Sequence, residues 1–209
     1  MTAKTQKQLE LIKNIYEVSK NFGLKTFFWG GFAVDILHGK LTREHSDIDC
    51  FTENLVENKD KLIAEYESRG YTLGFYLDDF WMLEIKKDDV HATFNTVKNI
   101  DGIANWHHAG SHGTVFFPYE WLDKEPTNFY GSYVYTFGAE MAYLLKTNVR
   151  LISAEWQLRD KDRADIAVLE QILLSKGINK DEIIKKVWSH NPFWYAKGYD
   201  EYFLPVMLI

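Results

Sequence analysis

Two carboxylates, Asp47 and Asp49, stand two residues apart in the stretch SDIDCF. Alternate residues of a strand point to the same face, so we expect a short strand over Ile48, Cys50 and Phe51 to carry both carboxylates on one side. Paired carboxylates bind divalent metal ions, and such ions also hold the phosphates of a nucleotide. Because most D-x-D pairs are only solvated strand faces, a metal site here requires a second feature.

The second feature is the pair Gly30-Gly31, which separates a predicted strand over Lys25 to Trp29 from a predicted helix over Phe32 to Leu37. Glycines between a strand and a helix leave bare backbone N–H groups near the helix N-terminus, where the helix dipole favours phosphate. An ordinary tight turn has the same composition. If the diglycine and the acidic pair meet in space, however, they form the phosphate end and the metal end of one nucleotide site.

The rest of the chain supplies the elements that must hold these groups. Apolar residues at three- and four-residue spacings predict a helix over residues 6–22, and a second helix is predicted over residues 58–70. Alternating patterns in YTLGFYL, FWMLEIKK and VHATFNTV predict strands, with Lys87 to Asp89 as a hairpin turn between the last two. A mixed or mostly antiparallel sheet follows from these patterns.

The pattern changes to helix near residue 137. Further helices are predicted over residues 139–146, 160–174 and 180–189. The chain is therefore expected to be an α+β protein with one domain over residues 1–137 and a helical C-terminal lobe with an aromatic tail over residues 138–209. Because a tail that ends in LPVMLI is rarely left in water, we expect it to dock on its own domain or to form a homodimer with a second chain.

Composition limits the classes of function. The chain has 209 residues, with 24 Lys and Arg against 30 Asp and Glu, which gives a formal net charge of −6. This balance disfavours a nucleic-acid partner and suits a cationic small molecule. The single cysteine, Cys50, allows no internal disulfide and fits a reducing compartment. No apolar run is long enough for a membrane span or a signal peptide, so we expect a cytoplasmic protein with no membrane partner.

The stretch WGGFAVDILHGKLTREHSDIDCF, from Trp29 to Phe51, resembles the antibiotic nucleotidyltransferases. The resemblance is to the aminoglycoside 2''-adenylyltransferase and lincosamide nucleotidyltransferase group of the polymerase-β-like superfamily. Its pattern, G-G-(W/F)-A-x-D-x-x-x-G-(R/K)-x-T-R-x-H-x-D-(I/V)-D, is long and specific. The later stretch KDRADIAVL resembles the K-D-x-x-D helix start of the same family, whereas the tail after about residue 190 resembles nothing that we can place.

The resemblance implies a Mg²⁺-dependent enzyme with the polymerase-β-like nucleotidyltransferase fold. Such an enzyme transfers a nucleoside monophosphate to a hydroxyl group of a small molecule such as an aminoglycoside-like antibiotic. AMP is the expected monophosphate and ATP the expected donor. The resemblance also implies roles for single residues. Gly30 and Gly31 would bind the triphosphate, and Asp47 and Asp49 would bind metal ions and take part in catalysis. Arg43 and His45 would contact phosphate or lock the loop, Asp35 would brace Arg43, and Glu140 and Lys161 would contact the acceptor.

The chain departs from the family at the third carboxylate, which members supply from a strand after the hairpin, in a stretch resembling V-D-x-H-P. A gapless alignment of FWMLEIKKDDVHATF puts His91 at that position, and this is the simpler register. A shift of two residues puts Asp89 there instead, as a third metal ligand, on the same strand face. A histidine can still accept a proton near neutral pH but is a poor ligand for Mg²⁺.

Two other functions remain open on these grounds. If the third carboxylate is lost, the chain is a catalytically weakened nucleotide-binding or scaffold protein of the same fold. A tRNA or protein acceptor is the other alternative, and the absence of a basic track in the sequence disfavours it.

Overall fold

The computed structural model describes residues 1–78, 81–108, 113–148, 157–186 and 188–190. Its helices are α1 (Ala3–Asn21), α2 (Gly30–His38), α3 (Leu55–Ser68), α4 (Ala139–Thr147) and α5 (Asp160–Ser175). Its strands are β1 (Thr26–Trp29), β2 (Ile48–Glu53), β3 (Thr72–Leu77), β4 (Met82–Lys87), β5 (Val90–Ile100), β6 (Ile103–His108), β7 (Gly113–Pro118), β8 (Thr127–Phe129), β9 (Ser132–Thr136) and β10 (Trp188–His190).

The strands form one mixed sheet, which confirms the predicted α+β class. Along its main path the order is β10-β7-β6-β5-β2-β1-β9-β8, and the β3–β4 hairpin joins at β5. Strand β2 is antiparallel to β1 and parallel to β5, while β5 is antiparallel to β4. The predicted hairpin turn is confirmed, because β4 ends at Lys87, β5 begins at Val90, and Asp88 between them has a positive φ of 53°.

Each face of the sheet has its own apolar core. On one face, Phe28, Cys50 and Phe94 pack with residues of α1 and α3, such as Leu11 and Tyr66. Helix α1 begins at an N-cap, since the Thr2 hydroxyl accepts a hydrogen bond from the backbone N–H of Thr5, and buries the predicted apolar stripe.

The opposite face carries an aromatic core. Phe27 and Phe51 pack there with Phe137 and with Leu144 of α4 and Leu173 of α5. The two C-terminal helices therefore share a core with the sheet. The division of the chain at residues 137 and 138 remains a prediction.

The predicted helix over residues 180–189 is wrong. Two short 3-10 turns, Lys180–Glu182 and Ile184–Lys186, replace it, and β10 follows as a strand antiparallel to β7. Local hydrogen bonding explains the first turn, because the Asn179 side chain accepts from the backbone N–H of Asp181. Strand pairing at the sheet edge then overrides helix propensity. Among the described residues, no helix is long and apolar enough to cross a membrane.

Candidate active site

The two predicted halves of the site meet at Gly30. Asp49 pairs with Trp29 across β1 and β2, and this register brings its carboxylate against the next residue. A Cβ atom on residue 30 would stand only 2.5 Å from Asp49 Oδ2, and Gly30 has a φ of +65°. Glycine is therefore required there both for its backbone conformation and for the close approach of the carboxylate. The predicted convergence of the acidic pair and the diglycine is confirmed at Asp49.

Asp47 and Asp49 share a partly buried environment. Burial, followed by repulsion from Asp47, raises the pKa of Asp49 to about 7, while the positive charges of Lys146 and Lys161 act to lower it. Asp47 itself accepts a 2.6 Å hydrogen bond from the Ser46 hydroxyl. The site thus holds negative charge that its neighbours only partly compensate, as expected where a bound cation completes the balance.

The donor set fits Mg²⁺ held jointly with a nucleotide. In the described part of the chain, no group of three or more His, Cys, Asp or Glu side chains is arranged to hold a metal ion. Mg²⁺ in nucleotide-using proteins is commonly bound through one or two carboxylates together with substrate phosphates, rather than by an all-protein cage. Asp47 and Asp49 supply that number of hard oxygen ligands.

Two side chains lie over the second glycine. A Cβ atom on Gly31 would clash with Arg43 Nη2 and would stand 2.5 Å from His45 Nδ1. Gly31 lies in the first turn of α2, where backbone N–H groups have no helical partner. Arg43 and His45 therefore lie at the helix N-terminus, as their assignment to phosphate binding requires.

Asp35 orients His45, not Arg43 as expected from the sequence. His45 Nε2 lies 2.6 Å from Asp35 Oδ2, and both side chains are buried. The other oxygen of Asp35 accepts hydrogen bonds from the backbone N–H and the hydroxyl of Thr42. The His45 ring also packs on Phe32, with the ring centroids 4.1 Å apart. Asp35 thereby fixes the loop that leads to the acidic pair.

Arg43 is instead held by the C-terminal helix α5. Its Nε and Nη2 donate to the two oxygens of Asp165, at 3.3 and 3.0 Å. Asp165 also accepts from Lys146 of α4 at 2.8 Å, and Lys146 reaches Asp162 at 3.0 Å. Arg159 closes the chain of contacts on Asp162 at 2.7 Å. We call Arg43, Lys146, Arg159, Asp162 and Asp165 the charge network.

The charge network lies beside the acidic pair. Although burial opposes it, hydrogen bonding from Arg159 and Lys146 holds the pKa of Asp162 well below its usual range. Hydrogen bonding to Asp162 raises the pKa of Arg159, and the negative charge of Asp47 contributes to the same shift. Because Lys146 acts on Asp49 and Asp47 acts on Arg159, the helical lobe and the D-x-D strand form one electrostatic unit.

The two candidates for the third position differ in their surroundings. Asp89 lies in the hairpin turn, and Lys7 binds it at 2.9 Å, which lowers the pKa of Asp89. His91 is in β5, two residues before Thr93, which pairs with Asp49. Because paired residues of neighbouring strands share a face and residues two apart in one strand do so too, His91 lies on the same side of the sheet as Asp49.

Two further side chains extend this face. Thr93 pairs with Asp49 on one side and with Glu84 of β4 on the other. Glu84 is half-buried, and its Oε1 lies over Gly74 so closely that a Cβ atom there would clash. The sequence analysis missed Glu84 because an alternating strand pattern does not distinguish a site carboxylate from a solvated one.

The two predicted acceptor residues lie in different helices, Glu140 in α4 and Lys161 in α5. Lys161 is close enough to Asp49 to influence its pKa. Glu140 lies in the first turn of α4, beside Gly138, whereas Lys146 lies in the last turn. At about 1.5 Å per residue, Glu140 stands about 9 Å along the helix from the charge network. The aromatic tail predicted to mediate association lies outside the described residues.

Sequence reasoning also missed Lys146 and the contact between Arg43 and Asp165. A lysine in the last turn of a helix commonly complements the helix dipole, so its type and place gave no signal. Asp162 and Asp165 did carry one, since both belong to the K-D-x-x-D stretch. Their partners follow only from how α4 and α5 pack, since Arg43 and Asp165 are 122 positions apart in the chain.

Comparisons with known proteins match most of the chain to one family. A family model described as aminoglycoside-2''-adenylyltransferase matches residues 11–169. A lincosamide resistance protein of Staphylococcus haemolyticus is 32% identical over 90 residues, which cover 41% of this chain and 49% of that protein. The match thus spans about half the length of this curated relative.

Solved structures show the same fold. The lincosamide antibiotic adenylyltransferase LnuA, lincomycin-bound, has a TM-score of 0.58 at 23% identity, over 76% of this chain and 94% of that one. The antibiotic-resistance factor ANT(2'')-Ia in solution has a TM-score of 0.62 at 17% identity, over 94% and 95%. ANT(2'')-Ia in complex with adenylyl-2''-tobramycin has a TM-score of 0.58 at 18% identity, over 85% and 92%.

Proposed function

Because this chain belongs to the aminoglycoside-2''-adenylyltransferase family, we propose that it transfers a nucleoside monophosphate to a hydroxyl group of a small antibiotic. ATP is the expected donor, and an aminoglycoside or a lincosamide is the expected acceptor. The observation that carries this proposal is the contact of Asp49 with Gly30, which joins a carboxylate pair to a phosphate-binding helix N-terminus.

The triphosphate binds at the start of α2. Free backbone N–H groups and the helix dipole favour a phosphate there, and Arg43 adds a fixed positive charge above Gly31. His45 lies over the same residue, and its orientation is set by Asp35. These groups hold the β- and γ-phosphates, so that the leaving pyrophosphate is stabilised as it forms.

Asp47 and Asp49 would hold Mg²⁺ together with the phosphates. When bound there, the metal neutralises charge on the α-phosphate and favours ionisation of the acceptor hydroxyl. The raised pKa of Asp49 is consistent with this role, because a cation between the two carboxylates removes their mutual repulsion.

The acceptor approaches over β5 and β4. Attacking and leaving oxygens lie roughly in line at phosphorus, so the hydroxyl must enter on the side of the α-phosphate away from α2. Strands β5 and β4 lie on the far side of β2 from β1 and α2. On these strands His91, Thr93 and Glu84 lie on the same face of the sheet as Asp49. The hydroxyl oxygen bonds to the α-phosphorus, its proton passes to His91, and the bond to the β-phosphate bridging oxygen breaks with its electron pair leaving on pyrophosphate.

Pyrophosphate release tests the proposal. The protein is incubated with Mg²⁺, each nucleoside triphosphate and a panel of aminoglycosides and lincosamides, with Asp47→Asn and Asp49→Asn as matched controls. We expect release that depends on one acceptor class and on both carboxylates.

A second candidate is nucleotide binding without transfer, which follows if His91 stands where the family has its third carboxylate, as in the gapless alignment, because histidine is a poor ligand for Mg²⁺. Tight ATP binding with no release for any acceptor would support it. Absence of ATP binding would contradict both candidates.

A further inference from the structure

Arg43 forms a bidentate pair with Asp165 that leaves some of its N–H donors available for a ligand. A guanidinium has five N–H donors in a fixed plane. Nε and Nη2 donate to Asp165, and Nη1 donates to the Glu44 carbonyl at 3.1 Å. One N–H on each terminal nitrogen, Nη1 and Nη2, therefore has no acceptor among the residues that the structure describes. Nη2 lies directly over Gly31, so its available N–H borders the start of α2.

Asp165 is itself fixed before any ligand arrives. Its side chain is 3% exposed, and Lys146 binds the same oxygen that receives Arg43 Nη2. The neighbouring turn of α5 is anchored by Leu169, which is fully buried against Val34 of α2. Because helix and carboxylate are both held by packing, the two bonds to Asp165 fix the plane and direction of the Arg43 guanidinium from α5, and the bond to the Glu44 carbonyl adds one contact within its own loop.

Asp165 is shared between two cations. Its Oδ2 lies 3.0 Å from Arg43 Nη2 and 2.8 Å from Lys146 Nζ. Because one carboxylate serves two positive charges, Asp165 does not fully neutralise Arg43, which therefore keeps positive charge that a phosphate can share.

We propose that Asp165 is a positioning residue for the nucleotide: it aims the Arg43 guanidinium at the triphosphate, so that helix α5 completes the phosphate site at the start of α2. This inference rests on the proposed function. Asp165 acts through Arg43 and need not touch the nucleotide.

Asp162 provides a matched control. Both carboxylates are buried in the first two turns of α5, and both bind Lys146, but the bonds to Arg43 come only from Asp165. Asp162 also accepts from the backbone N–H and the side chain of Arg159 at the start of α5, so Asp162→Asn should destabilise the fold at least as much as Asp165→Asn. Only Asp165→Asn should release Arg43.

Binding of ATP and of inorganic tripolyphosphate, both without Mg²⁺, is measured by calorimetry at a temperature where thermal melts show each variant folded. We expect Asp165→Asn to weaken both ligands about tenfold, the loss expected for one charge-assisted hydrogen bond, and Asp162→Asn to weaken them less than about twofold. Arg43→Lys, which keeps the charge but loses the fork, should match Asp165→Asn even if the latter folds poorly.

A double-mutant cycle locates the effect. In the Arg43→Ala background, Asp165→Asn should cause no additional loss of tripolyphosphate affinity. Equal weakening by Asp165→Asn and Asp162→Asn, or an undiminished effect without Arg43, would overturn this inference alone. Failure of the unsubstituted protein to bind ATP or tripolyphosphate would overturn it together with the proposed function.

Discussion

The side chain of Asp49, a proposed metal ligand, is held where its negative charge is unfavourable for the fold. Burial and the proximity of Asp47 raise its pKa to about 7, above the ordinary value of 3.8. The folded state therefore binds this proton more tightly than the unfolded chain does. The contribution of Asp49 to the free energy of unfolding is therefore greatest below about pH 4 and declines as the pH rises from about 4 to 7.

Asp49→Asn should consequently stabilise the metal-free protein while abolishing transfer. At pH 8 we expect a gain on the order of 2 kcal/mol, less than the full pKa shift implies because Asp49 is only partly shielded from solvent, and at pH 4 almost none. Thermal melts at both pH values in the presence of a chelator measure this difference. A gain that does not grow with pH would show that Asp49 is not the group whose ionisation opposes folding.

Glu84 is placed to select the acceptor. It lies two strands from Asp49 on the same face, a separation of about 10 Å that spans a sugar ring. Glu84→Gln should raise KM for a polycationic acceptor about three- to tenfold and leave KM for ATP unchanged, because one ionic contact to the acceptor is lost. Asp101→Asn, at an exposed turn far along β5, is the control; an equal effect there would mean that only overall charge matters.

At the level of elements, the two glycines at the start of α2 are required for different reasons. Gly30 needs its positive φ and abuts Asp49, whereas the space above Gly31 is taken by Arg43 and His45. Gly30→Ala should cost about 2 kcal/mol of stability or more and remove activity, since strain and steric overlap coincide. Thermal melting compared with steady-state turnover measures both effects. A fully stable Gly30→Ala protein would contradict the close approach of Asp49.

Gly31→Ala is expected to behave differently. The backbone of Gly31 carries no positive-φ strain, and alanine gains up to about 1 kcal/mol in helix propensity. The added Cβ atom would nevertheless stand 2.5 Å from Nδ1 of the buried His45 ring, which Asp35 holds in place, so we expect a net loss of stability. The displaced Arg43 should also weaken ATP binding about tenfold, as measured by calorimetry. Retention of ATP affinity would argue that Arg43 does not contact the phosphates.

The β4–β5 hairpin distinguishes the two candidates for the third position. Asp89→Asn removes an exposed contact to Lys7 and should leave the stability of the fold almost unchanged, with turnover retained. His91→Gln should lower kcat about a hundredfold or more if His91 accepts the proton. Rates of pyrophosphate release decide the question, and the reverse pattern would assign the role to Asp89.

The sequence predicted those parts of the site that depend on local spacing. The D-x-D strand, the diglycine before α2 and the turn at Asp88 follow from strand and helix periods or from turn chemistry, and all three are present. The bond between Arg43 and Asp165 joins residues far apart in the chain, so only the packing of α5 reveals it. The predicted helix over residues 180–189 was wrong for a related reason, because pairing with β7 decides the conformation at Trp188.

Across the whole molecule, two charge patterns of opposite sign serve the two proposed substrates. The chain as a whole carries a net charge of −6, which attracts a cationic acceptor. Arg43, in contrast, holds a fixed positive charge over Gly31 at the phosphate end. A buried local charge is screened by salt much less than the field of exposed side chains is.

Ionic strength should therefore separate the two substrates. Between about 0.05 and 0.5 M salt the Debye length falls to a few ångströms, so the long-range attraction of an aminoglycoside is lost and its KM should rise several-fold. KM for ATP, set by short bonds to partly buried groups, should change less, and kcat should stay constant. Steady-state kinetics at saturating Mg²⁺ measure both constants, with a monocationic lincosamide as the comparison acceptor, whose KM should change little. An ATP KM that rises as steeply as that of the aminoglycoside would contradict a phosphate site built from the charge network.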